Sequence, residues 1–538
     1  MIRMIYKDIA VGSKAAFAPS SSDAASISKL SDLNADLVFS SFGTGGELNQ
    51  FLLDGEQGVL PDDLSDTAIG LWSDALSGDD GSFTSPLTLT MTASGLFTSQ
   101  GITLTFDPDV GVYATAVNIK WYNGTSLLYN VDFTPDSAIY FCKKKVDNYN
   151  KVVLTFSSIN FAHCRLKLRA IDHGVIRTFA GRLLSDISVI QECSPVSDEI
   201  AIDTMDFTLI SDEDVNYVFQ SKQPMSLYTD KDLLGVFFVK NYERTAKQIY
   251  SVSTEDYIGL LDSVQFAGGI YSSQSAAALL TAVFASANVP VDISADIQGK
   301  TITGWIPVCT CREAVRQICF AIGAAVSTAR TDTVRIFIPG GAPVKKFELA
   351  DTMQGQTFND QDVKLTELRL TVHSYSQITE TAELYKAADS GTGTGIYVEF
   401  SEPMHSLTIT GGSITSSGAN FAVITANSGC VLSGKKYRDM TSVISKTNPL
   451  TNVGDPANVV EVRDMTLVSA SNAQTLLSTL WEFYVKCGTI TSELVLNGER
   501  PGDIITLATE YLGDINTRIE SERYNLYGGA IVAEVTAR

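Results

Sequence analysis

Imidazole is scarce in this chain: the histidines are His163, His173, His373 and His405. None has a neighbour at zinc-ligand spacing, and the H-E-x-x-H pattern that sets two imidazoles on one helix face does not occur. His163 adjoins Cys164, but the flanks are strand-like, which suits a structural histidine better than a nucleophile with its base. Cys309, Cys311 and Cys319 form the one cysteine cluster. Their spacing lacks the paired C-x2-C loops of structural zinc, and Cys311 and Cys319 fall on an apolar helical stripe, so packing accounts for them without a metal. The P-loop, G-x-G-x-x-G and G-x-S-x-G patterns are absent. The densest acidic group is Asp62-Asp63, Asp66, Asp74 and Asp79-Asp80-Gly81. Loop carboxylates of this kind can hold Ca2+ through oxygen, and they are equally what turns are made of; the D-x-[DN]-x-[DN]-G order is missing. Trp72, Trp121, Tyr122 and Tyr129 are the aromatics that could stack on sugar rings or fill a core, and Trp121 can point either way. These residues assign no catalytic, cofactor or metal site, and the chain reads as a non-enzyme.

The elements that would position such residues are mostly strands. To about residue 178 the pattern is almost pure β. Leu87-Thr-Leu-Thr-Met-Thr92 and Ile102-Thr-Leu-Thr-Phe106 alternate strictly, the period of half-buried strands. Further strands follow at 116–122, 126–133, 138–141, 151–156 and 164–171, with turn signals at Ser94-Gly95, Asn123-Gly124 and Asp147-Asn148. Short strands at such even spacing predict a β-sandwich over 1–178. Residues 179–254 continue as strands, the first portion of a β-barrel.

Residues 255–344 change texture to α/β. Helices are expected over 255–262 and 275–287, and a third begins at Thr310. Thr310 and Glu313 have capping-box spacing, and Cys311, Val315, Ile318, Cys319 and Ile322 make one apolar stripe. The span 345–538 is β-rich again, with a last helix from near Asn472 that sets Leu476, Leu477, Leu480, Trp481 and Tyr484 on one face. The expected class is mainly β with an α/β portion.

Composition narrows function. With 39 basic and 61 acidic residues the net charge is −22, which opposes binding nucleic acid through phosphate contacts. Only 19% of residues are charged and 44% are hydrophobic, as in a chain with large cores or one that buries surface in an assembly. No segment reaches the ~20 apolar residues of a membrane span. The start reaches Asp8 before an apolar signal region can form, so synthesis and folding in a reducing cytoplasm are expected. Dispersed Cys142, Cys164, Cys193, Cys430 and Cys487 agree, as small buried hydrophobes.

Two series of segments carry a family resemblance. Asn49-Gln-Phe-Leu-Leu-Asp-Gly55, Leu60-Pro-Asp62, Gly70-Leu-Trp-Ser73, Gly101-Ile-Thr-Leu-Thr-Phe-Asp107 and Val117-Asn-Ile-Lys-Trp-Tyr122 resemble the galactose-binding-like, discoidin-type sandwich of tail-tip proteins from phages and prophages of Gram-positive bacteria. The second series runs from Ser197-Asp-Glu-Ile-Ala-Ile-Asp203 through Leu234-Gly-Val-Phe-Phe-Val239, Gly304-Trp-Ile-Pro307 and Arg312-Glu-Ala-Val-Arg-Gln-Ile318. It ends on Arg500-Pro-Gly-Asp-Ile-Ile505 and Tyr524-Asn-Leu-Tyr-Gly-Gly529, and is similar to tail hub (baseplate hub) proteins, whose tube-like β-barrels trimerise to cap the tail tube. The resemblance implies a structural virion protein of the tail tip. It implies a homotrimer that touches tail tube, distal tail or tape-measure proteins, with host cell-wall carbohydrate as a further contact. Many siphophage relatives carry a C-terminal endopeptidase or lysozyme extension, whereas this sequence stops at Arg538, just past the hub-like strands. The alternatives are a glycan-binding surface adhesin outside any virus, which a missing signal peptide disfavours, and a tail-associated cell-wall hydrolase, which lacks a nucleophile or metal set.

Overall fold

The computed structural model describes residues 2–26, 28–34, 38–39, 67–68, 70–107, 111–211, 219, 222–229, 232–353, 355–360, 364–449, 457–486, 488–510, 512–526 and 532–538. The chain is mainly β and divides into two compact units. The first is Ile5–Thr178 with Val218–Gln223; the second is Phe179–Tyr217 and Pro224–Arg538 with Met1–Met4.

The first unit is a sandwich of unequal layers. Its larger sheet orders Ala170–Asp172, Ser82–Thr105, Ile139–Ile159, Ala114–Asn123 and Ser126–Phe133, with Ala18–Ser21 paired on Ser82–Thr105. The smaller sheet is Leu71–Leu76 against Arg165–Leu168. Alternation explains the packing: Leu87, Leu89 and Met91 are buried, while the threonines between them face outward or lie half-buried. Leu104, Phe106, Trp121, Phe156 and Leu166 meet in one core between the layers.

Two turn signals prove not to be turns. Ser94-Gly95 lies inside the single strand Ser82–Thr105, and Asp147-Asn148 inside Ile139–Ile159. These strands pair along their length, and the register slips between Thr92 and Phe97 and again near Ser99. Asn148 takes φ 56° there. Small and polar residues with left-handed backbone make bulges as readily as turns; a bulge bends the pair without reversing it. Asn123-Gly124 does reverse the chain, with Gly124 at φ 58° and Asn123 opposite Ser126.

In the second unit a large sheet runs through Pro224–Thr229, Asp232–Ala246, Ile249–Glu255, Thr204–Ile210, Leu184–Glu192, Gly513–Leu526, Val532–Ala537 and Gly488–Val495 to Thr357–Asp360. Strands from either side of the helical portion therefore share one sheet, with Ile187 opposite Leu526 and Glu192 opposite Ser521. Ile504–Thr509 pairs on Gly513–Leu526.

The α/β portion is inserted between these strands. Helices Tyr257–Asp262, Ala276–Ala287 and Cys311–Ile322 enclose a core that contains Leu280, Phe284, Val315, Ile318 and Cys319. Each helix is capped at its start by a side chain, Asp256, Ser275 and Thr310 in turn. Thr310 Oγ1 accepts from Glu313 N at 3.2 Å, but the expected capping box is only half made. The Glu313 carboxylate turns to Arg316 and Gln317 instead, because two cationic or amide donors one turn on outcompete a single backbone N–H.

A second sheet follows, built on the 27-residue strand Phe421–Thr447. Glu367–Lys386 pairs along it, Met404–Ser417 and Gly393–Glu399 join its first part, and Val459–Val462 lies parallel to Glu367–Lys386. Helix Ala473–Tyr484 packs Leu476, Leu477 and Leu480 against Leu368, Leu370 and Val372 of this sheet.

Candidate functional site

The sandwich sorts its aromatics by strand face. Trp121 is fully buried and meets Phe133 edge-on; Trp72 is buried with Lys167 Nζ 4.6 Å from its ring. Neither offers a sugar-stacking face. Tyr129 is exposed, with Lys144 Nζ 3.9 Å above its ring, and half-buried Tyr122 has Lys151 Nζ at 5.3 Å. The strands Ala114–Asn123, Ser126–Phe133 and Ile139–Ile159 thus carry two lysine–tyrosine pairs, and Leu127, opposite Tyr122, is 53% exposed. The first unit also holds a buried charge cluster that sequence reasoning missed. Asp107 accepts from Arg169 at 2.6 Å and lies 3.8 Å from Lys167 Nζ. Alternation hides it, since Arg165-Leu-Lys-Leu-Arg169 reads as an ordinary half-exposed strand.

The described members of the acidic group form no metal-ligand cluster. Asp62, Asp63 and Asp66 lie outside the described residues. Asp79 pairs with His163 at 2.8 Å, and Asp80 accepts from Ser82 N at 2.9 Å, a bond that lowers its pKa. Among the described residues no three His, Cys, Asp or Glu groups have metal-ligand geometry.

The histidines are scattered in the same way. His173 is wholly buried, stacked on Phe17 at 3.9 Å and bonded through Nδ1 to Tyr149 Oη at 3.0 Å. Burial lowers its pKa to about 3, so it is a neutral core ring. His373 ties its strand to Asp439 at 2.7 Å, and His405 lies 3.2 Å from Ile378 O. Cys311 and Cys319 sit in the helical core and Cys309 is half-buried beside it. Burial pushes the Cys309 thiol up to about 12, the opposite of an activated nucleophile. Cys142, Cys164, Cys193 and Cys430 are buried, and Cys487 lies outside the described residues.

A buried carboxylate pair of the second unit was not legible in the sequence. Asp203 and Asp256 are 2% and 1% exposed, and both reach the hydroxyl of Thr328, at 2.8 and 2.5 Å. Asp203 Oδ1 also accepts from Glu192 N, and Asp256 Oδ1 from Ile258 N and Gly259 N. One hydroxyl proton cannot serve two carboxylates, so the pair holds a proton of its own. Burial, then the charge of Asp256, raises Asp203 well above the usual carboxylate range; burial lifts Asp256 to about 6. The closed surroundings make this a structural joint, not a reaction centre.

Two surface features stand out instead. Beyond Tyr437 the strand Phe421–Thr447 pairs only with Glu367–Lys386, and its other edge has no strand neighbour among the described residues. That edge contains the uncharged run Met440-Thr-Ser-Val-Ile-Ser445, with Met440 53% and Val443 56% exposed. The other feature is a cavity of about 620 Å³ between helix Ala473–Tyr484 and strand Gly513–Leu526.

No protein-family model and no curated protein matches the chain. Solved structures do resemble it at a distance. The 43 kDa tail protein of prophage MuSo2 from Shewanella oneidensis is 8% identical, with a TM-score of 0.42 over 67% of this chain and 94% of that one. A tail protein from Neisseria meningitidis MC58 is 12% identical, with a TM-score of 0.42 over 66% and 92%. Prophage tail protein gp18 from Listeria monocytogenes EGD-e is 12% identical, with a TM-score of 0.39 over 67% and 91%.

Proposed function

We propose that this chain is a structural protein of a phage-type tail, a hub at the tail tip that acts by assembly rather than catalysis. The hub-like segments of the sequence supply the class. The observation that carries the mode of action is the open edge at Arg438–Thr447. A long strand edge whose centre holds no charge and no proline is a template for pairing, and proteins that stay monomeric blunt such edges. In this reading the edge is covered by another copy of the chain in a homotrimer, or by a neighbouring tail-tube, distal-tail or tape-measure protein. The exposed Tyr129, with Lys144 over its ring, is the part of the sandwich offered to host wall carbohydrate.

Sedimentation of the full chain tests this. A trimer is expected, and Met440→Lys with Val443→Lys should dissociate it without lowering the melting temperature. A trimer that survives both charges removes this edge from the interface, and a monomer at high concentration overturns the hub reading.

A further inference from the structure

Asparagine followed by glycine occurs twice in the sequence, at Asn123-Gly124 and Asn497-Gly498. The dipeptide is prone to react with itself, because a glycine nitrogen, unhindered by a side chain, can attack the carboxamide carbon of the residue before it. The outcome depends on what holds the two groups, and the fold treats the two sites differently.

Asn123 ends the strand Ala114–Asn123 and lies opposite Ser126 in a tight hairpin. Its glycine is occupied, since Gly124 N donates to Asn150 Oδ1 at 2.8 Å. That nitrogen must give up its bond and leave the turn before it can attack. Asn497 and Gly498 are both exposed, in the connection between Gly488–Val495 and Ile504–Thr509. Neither Gly498 N nor the Asn497 carboxamide has a hydrogen-bond partner among the described residues. Gly498 takes φ 108°, and even a Cβ there would meet nothing within 4 Å. The chain is tied on either side of these groups. Glu499 is 7% exposed; its Oε2 accepts from Asn497 N at 2.6 Å, and its Oε1 lies 3.3 Å from Lys345 Nζ. Nucleophile and electrophile therefore sit free between held points.

We propose that Asn497-Gly498 is a site of spontaneous covalent modification, which converts Asn497 to aspartate and isoaspartate and loosens the tie to Glu499. Gly498 N loses its proton to solvent base and bonds to Asn497 Cγ. The Cγ–Nδ2 bond breaks, the amide nitrogen takes up a proton and leaves as ammonia, and a cyclic imide remains. Water then opens the ring. Attack at Cγ restores the ordinary main chain as aspartate; attack at the main-chain carbonyl carbon leaves isoaspartate, with the chain routed through Cβ and Cγ. Isoaspartate adds a carbon to the main chain between Asn497 N and Glu499, and the short loop closed by their bond must absorb it. The chemistry stands whether or not the chain is a tail hub.

The test ages the full-length protein in mildly alkaline buffer, folded or in guanidinium, and follows both asparagines by peptide mass spectrometry with isoaspartate-specific labelling. In the folded protein Asn497 should convert about tenfold faster than Asn123, or more, since one site must first break a hydrogen bond. In guanidinium the two rates should converge. The denaturation midpoint of the aged wild type should fall, while that of Asn497→Gln, whose longer side chain closes the ring poorly, should not move on ageing. Asn497 intact in the folded protein while it reacts in guanidinium, or Asn123 converting as fast in the folded state, would overturn the site. Isoaspartate accumulating at Asn497 with an unshifted midpoint would overturn the loosening.

Discussion

Replacing Asp203 by asparagine should make the second unit more stable, though it alters a buried, fully hydrogen-bonded residue. Asp203 and Asp256 face one Thr328 hydroxyl and no cation is paired with either among the described residues. In Asp203→Asn the amide oxygen keeps the bond from Glu192 N and the amide nitrogen donates to Thr328, whose hydroxyl is then free to donate to Asp256. Every group is satisfied and one buried charge is gone. The sign follows from linkage. Well below the unfolded value of 3.8, folded and unfolded chains both hold these protons, and the pair costs nothing. As pH rises, the unfolded chain releases them first, so stability falls until Asp256 ionises at about 6. The rise of Asp256 from 3.8 to about 6, about 3 kcal/mol at ~1.4 kcal/mol per pH unit, comes from its own burial and stays in the variant. Asp203→Asn removes the separate rise of Asp203 and should gain on the order of 1–3 kcal/mol at pH 8 and nothing below about pH 3. Urea unfolding near pH 3, 6 and 8, followed by circular dichroism, measures it. A variant equally destabilised at both ends of the range would show that Asp203 is ionised and holds the joint as a charge, refuting the shared proton.

Ile318→Ala should cost ~2–5 kcal/mol by opening a cavity in the helical core, and Thr310→Ala about 1 kcal/mol through the lost cap, both read from chemical unfolding. A zinc chelator should leave the melting temperature unchanged, and a large drop would show that Cys309, Cys311 and Cys319 hold a metal. Gly70→Ala should destabilise the sandwich by several kcal/mol, because φ is 71° and a Cβ would meet Leu168 O at 2.3 Å; an unshifted thermal transition would contradict that backbone geometry. Titration with host wall polysaccharide should give binding that weakens in Tyr129→Ala, and binding indifferent to that change would place recognition elsewhere.

Local signals were read well and long-range ones were not. Ser275 and Thr310 mark helix starts in the sequence and serve there, because a cap depends only on neighbours within a turn. The alternating threonines of the sandwich gave its strands for the same reason. Ser94-Gly95 and Asp147-Asn148 misled, since bulges and turns draw on the same residues and only the pairing partner decides between them. The buried joint of Asp203, Asp256 and Thr328 spans up to 125 residues of sequence, and each member is an ordinary loop or cap residue on its own.

The pairing of Leu184–Glu192 with Gly513–Leu526 bears on how the chain is made. At ~5–20 residues per second, the ribosome delivers the second strand roughly half a minute after the first. For that time Leu184–Glu192 has one flank uncovered, and the loop that must close is among the longest in the chain. The buried core of the sandwich is drawn from residues 17–171 and can form while synthesis continues. The large sheet cannot, so nascent chains stalled before the final strands should be the species that chaperones bind and proteases clear, and their abundance should set the yield of folded protein.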